Sequence, residues 1–97
     1  MATYKAPLRE IGFVLNDVLN VGQLAEQLPA LAEATPDTLM GLAEEAAKLI
    51  EGTIAPLNHP GDAVGARWNA GNVTLPDGFA EAYKQYSEAG WVSLCNP

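Results

Sequence analysis

Ninety-seven residues make one domain at most and can enclose only a modest core. Five Lys and Arg against twelve Asp and Glu give a formal net charge of −7, which repels phosphate backbones and argues against a nucleic-acid partner. A single cysteine excludes an intrachain disulfide, and no apolar run approaches the roughly 18–20 residues that span a bilayer.

The bases Lys5, Arg9, Lys48, Arg67 and Lys84 are scattered, so no basic patch forms. Charges at Lys5, Arg9, Glu10 and Asp17 interrupt the opening stretch and leave no signal-peptide pattern, so the expected location is cytoplasmic. Pro7 precedes a stretch whose Leu8, Ile11, Leu15, Val18 and Leu19 share one stripe, predicting a helix over 8–19. Phe13 and Val14 fall off that stripe, so this helix needs cover on more than one side. A short helical turn is predicted over 22–28, stopped by Pro29.

The clearest start signal is Thr35-Pro36-Asp37: an N-cap, a proline for the first helical position, and an acid for the positive helix end. A helix is predicted over 36–57. Leu39, Leu42, Ala43, Ala46, Leu49, Ile50, Ile54 and Leu57 should face inward, with Glu44, Glu45, Lys48 and Glu51 outward. His59-Pro60-Gly61-Asp62 should end it as a loop. Residues 66–75 read as a hairpin with a three-residue loop, Asn69-Ala70-Gly71, in which Gly71 supplies the left-handed position. A last helix is predicted over 78–89, capped by Gly90, with Phe79, Tyr83 and Tyr86 on one face as core packing. The fold class is therefore mainly all-α: a small helical bundle with a short β-hairpin, in one domain over 1–97.

A search for chemistry finds none. His59 stands alone in a loop, with no metal or triad partner at workable spacing. Cys95 has no histidine or second cysteine near it and reads as a small, partly buried residue. Glu44, Glu45 and Glu51 read as a solvated helix face. Gly61-Asp62-Ala63-Val64-Gly65 follows a helix and lacks the spacing of a phosphate loop. Trp68 and Trp91 should anchor the hairpin and the last helix end against the rest of the chain. No catalytic, cofactor-binding or metal-ligating residue is assigned.

Two stretches carry a resemblance. Tyr4, Ala6, Pro7, Leu8, Arg9, Phe13, Leu15 and Val18 match a Tyr-x-Ala-Pro-Leu-Arg-Asp run followed by Phe-x-Leu-x-Glu-Val, with Glu10 and Asp17 as charge-preserving departures. Further on come Ala55-Pro56-Leu57-Asn58, Gly61-Asp62, Trp68, Pro76 to Phe79, and Gly90-Trp91, in order. These stretches resemble the N-terminal helical segment of the acyl-CoA dehydrogenases. The resemblance implies α,β-dehydrogenation of an acyl-CoA thioester in the full-length enzyme, with a glutamate base in the C-terminal domain. FAD sits between the middle and C-terminal domains, and the N-terminal domain helps wall the acyl pocket. No residue here matches that base or a flavin contact.

The chain stops before the glycine-rich run that usually follows Gly-Trp in that family, so it is expected to be a fragment, inactive alone and binding no FAD. Its partners would be the remaining dehydrogenase domains or, for the isolated chain, a second copy that covers the apolar helix faces. The sequence leaves two other readings open. One is a free-standing helical interaction module, and the other is a small acidic helical protein that binds an apolar ligand or an amphipathic helix.

Overall fold

The computed structural model describes residues 3–95, which are mainly helical with one antiparallel hairpin. The contacts divide into two compact units, one ending at Ile50 and the other beginning at Glu51.

In the first unit, helix α1 spans Leu8–Phe13 and passes into a π turn, Val14–Val18, closed by Leu19 N–H donating to Val14 O at 2.9 Å. The expected span is helical, but its second half is wider than an α-helix, a change that apolar spacing alone does not signal. Asn20 ends it at φ 50°, a conformation asparagine tolerates better than most side chains. Helix α2 spans Val21–Gln27. Leu28 is extended because it precedes proline, and Pro29–Leu31 forms a 3₁₀ turn beyond the predicted stop.

Helix α3, Pro36–Leu49, starts where predicted, with Thr35 Oγ1 accepting from Thr38 N–H at 3.3 Å. Helix α1 packs on α3, and Met40 reaches to within 3.5 Å of where a β-carbon on Gly12 would stand. Lys48 Nζ donates to Glu45 Oε1 at 2.7 Å. That bond and the nearby carboxylate charge raise the lysine pKa, but both groups are exposed and the pair adds little stability.

The helical path continues through a π turn, Ile50–Ile54, and a 3₁₀ turn, Ala55–Leu57, as far as predicted. It then goes further. His59-Pro60-Gly61-Asp62, expected to end the helix as a loop, lie inside helix α4, Asn58–Val64. Because α4 restarts at Asn58, Pro60 falls in its first turn, where the missing N–H has no partner to lose. Gly65, at φ 69°, ends it.

Strands β1, Arg67–Asn69, and β2, Asn72–Thr74, pair antiparallel with Trp68 opposite Val73 and Asn69 opposite Asn72. That register leaves a two-residue loop, Ala70-Gly71, in place of the expected three. Both loop residues have positive φ, 50° and 86°, as a type I′ turn requires. Alanine is a poor choice for the first position, so Ala70→Asn should stabilise the protein by about 0.5–1 kcal/mol. A urea midpoint unchanged or lowered by that substitution would contradict the turn assignment. Helix α5, Phe79–Glu88, follows, and Gly90 at φ 88° donates its N–H to Ser87 O at 3.1 Å to finish it.

The core is thin. Val21, Ala47, Pro76 and Ala82 are the buried apolar side chains among the described residues, and no large side chain is fully enclosed.

Candidate functional site

The best-formed concavity lies within the second unit. The i, i+3, i+4, i+7 spacing puts Phe79, Ala82, Tyr83 and Tyr86 on one face of α5, and they line a groove of about 370 Å³ with Ile54, Leu57 and Asn58. Two glycines hold the walls together. Gly61, inside α4, lies so close to the Phe79 ring that a β-carbon there would stand 2.5 Å from Cζ. Gly78, at φ 87°, leaves room for Leu57, whose Cδ2 would be 2.9 Å from an added β-carbon. Thr53 Oγ1 donates to Gln85 Oε1 at 3.2 Å, and Tyr86 Oη donates to Trp91 O at 3.5 Å.

The groove lining is apolar apart from the Asn58 amide and two phenols. No carboxylate, imidazole, thiol or amine lines it, so it can receive an apolar group but offers nothing for proton transfer or nucleophilic attack.

The residues weighed from sequence are not brought together. His59 is exposed on α4, which corrects its expected loop setting. Cys95 is exposed, where a partly buried position was expected. Glu44 and Glu45 are exposed as predicted, but Glu51, expected outward, is half-buried. Trp91 is half-buried at the end of α5, whereas Trp68, expected as an anchor, is 73% exposed. Tyr83, expected as core, is 66% exposed at the lip of the groove, its ring centroid 6.3 Å from that of Tyr86. Among the described residues no group of three acids, histidines or cysteines could hold a metal, and no helix is long and apolar enough to cross a membrane.

No family model matches the chain. It is 38% identical over 95 residues to 3-methylmercaptopropionyl-CoA dehydrogenase of Ruegeria pomeroyi. The match takes in 98% of this chain and 16% of the relative's length. The similarity therefore runs well beyond the short motifs at Tyr4 to Val18 and Ala55 to Trp91, and the chain is a relative of the acyl-CoA dehydrogenases, resembling their N-terminal helical segment.

Proposed function

We propose that this chain serves as the N-terminal helical segment of an FAD-dependent acyl-CoA dehydrogenase, its two units forming part of one domain there. In the full-length enzyme it shapes and covers apolar surface, and it carries no catalytic residue of its own. The observation that supports this most directly is the 38% identity across 98% of the chain. The thin core and uncovered apolar faces agree with it, because a segment built to pack against further protein leaves such faces bare.

The described residues do not fit a flavin. Gly61 sits inside a helix with Phe79 pressed against it, which leaves no space for a pyrophosphate. The groove walls carry no cation. FAD would be held elsewhere in the enzyme, and no step of the reaction is assigned to this segment. The substrate class is an acyl-CoA thioester, as the relative's name indicates for that protein. The cytoplasm is the proposed location. In isolation the chain self-associates through its bare apolar faces.

Replacing the matching segment of the Ruegeria enzyme with this chain tests the main reading. The chimera should fold, retain yellow flavin and oxidise an acyl-CoA, whereas the 97-residue chain mixed with FAD should leave the flavin fluorescence unquenched. A folded, flavin-loaded chimera with no turnover on any acyl-CoA would overturn the proposal.

A further inference from the structure

We propose that Asp77-Gly78 is a modification site, where the aspartyl peptide rearranges without an enzyme to an isoaspartyl peptide and displaces the start of α5. The Gly78 nitrogen attacks Cγ of Asp77. The carboxyl gives up its hydroxyl and the amide its proton, so water leaves and a succinimide ring closes. Water then adds back. At Cγ it restores aspartate. At the main-chain carbonyl carbon of Asp77 it breaks the bond to the Gly78 nitrogen, and the chain then runs on through Cβ and Cγ. Nothing is oxidised or reduced, and water is the one co-reactant.

The aspartates of the chain are Asp17, Asp37, Asp62 and Asp77. Only Asp77 precedes a glycine, whose missing β-carbon leaves the attacking nitrogen least hindered. The other three lie inside helical turns, where a regular backbone holds the next amide away from the side chain. Asp77 and Gly78 are exposed in the turn before α5. Among the described residues no hydrogen bond or ion pair engages the Asp77 carboxylate or the Gly78 N–H. Phe79 N–H donates to Pro76 O across that turn at 3.4 Å, a long bond that resists the rotation needed for ring closure only weakly.

The fold cannot easily shed this glycine. Gly78 stands at φ 87°, and an added β-carbon would lie 2.9 Å from Leu57 Cδ2. The residue that the groove wall requires is therefore the one that opens Asp77 to attack. The isoaspartyl product puts one more carbon into the main chain directly after Pro76, which is buried. Gly78 O accepts from Ala82 N–H at 2.9 Å, so the extra atom shifts the first turn of α5 and the Leu57 contact with it.

The test ages the whole chain at neutral pH and body temperature for several weeks. Digestion and methylation of isoaspartyl carboxyls by a purified L-isoaspartyl methyltransferase then read the modification peptide by peptide. Label on the Asp77 peptide should exceed that on the Asp17, Asp37 and Asp62 peptides by roughly tenfold or more, as an unhindered nitrogen implies. Asp77→Glu, which can close only a slower six-membered ring, should abolish the label and leave the circular dichroism unchanged. Asp77→Asn should give the same isoaspartyl peptide faster, with ammonia leaving in place of water. The modified fraction should unfold at lower urea than the fresh chain. Label spread evenly over the four aspartates overturns the proposal, and so does label absent from Asp77. Label at Asp77 with an unchanged urea midpoint overturns the displacement of α5.

Discussion

Gly78→Ala is expected to destabilise the second unit by about 2–4 kcal/mol. Gly78 sits at φ 87° at the start of α5, and an L-residue held there costs roughly 1–2 kcal/mol. The new methyl would also stand 2.9 Å from Leu57 Cδ2. Leu57 lines the groove, so it can move only by disturbing its neighbours there, at about another 1–2 kcal/mol. Gly90→Ala supplies the control. Its φ is 88°, nearly the same, but nothing lies within 4 Å of its added β-carbon. Gly90→Ala should therefore show the conformational cost alone. Urea denaturation of the two variants, compared with wild type, separates the terms. Equal losses would mean that Leu57 does not press on Gly78.

The parts of the fold that were legible from sequence are those that local chemistry decides. Thr35 and Pro36 mark the start of α3 because a hydroxyl cap and a locked φ act on the nearest backbone groups. Gly90 ends α5 for an equally local reason. Pro60 does not stop the helical path, because a proline breaks a helix only from within; the restart at Asn58 moves it to the first turn, and no nearby residue announces that restart. The sequence marks the hairpin but suggests a loop one residue longer than the structure has, because Ala70 is an unusual occupant of a left-handed position. The π turns at Val14–Val18 and Ile50–Ile54 leave little trace in the spacing, and Val18, Leu19 and Ile54, expected on the inward stripes, are exposed. Burial is the least legible property in the sequence. Spacing sorts Tyr83 and Trp68 onto apolar faces, but it cannot say whether anything covers those faces. The groove itself could not be foreseen, because it depends on Gly61 and Gly78 letting α4 and the 3₁₀ turn at Leu57 approach α5.

That dependence gives the second large effect. Glycine inside a helix is ordinarily a weak point, and Gly61→Ala in α4 would by propensity alone gain up to about 1 kcal/mol. Here the sign should reverse. Gly61 is buried, and an added β-carbon would lie 2.5 Å from Phe79 Cζ and 2.7 Å from Cε1, distances that real atoms do not hold. The ring must swing away, which opens the wall it forms with Leu57 and Ala82. Overpacking of this kind costs roughly 1–3 kcal/mol and outweighs the propensity gain, so Gly61→Ala should be a net loss of about 1 kcal/mol. Gly61→Val, with two further methyl groups and a stiff side chain, should lose about 3 kcal/mol or more. A double-mutant cycle identifies the cause. In a Phe79→Ala background the obstructing ring is gone, and Gly61→Ala should become neutral or stabilising, with a coupling of about 1–2 kcal/mol between the two sites. If Gly61→Ala stabilises the wild-type protein instead, the ring does not rest on the glycine, and the groove does not have the wall described for it.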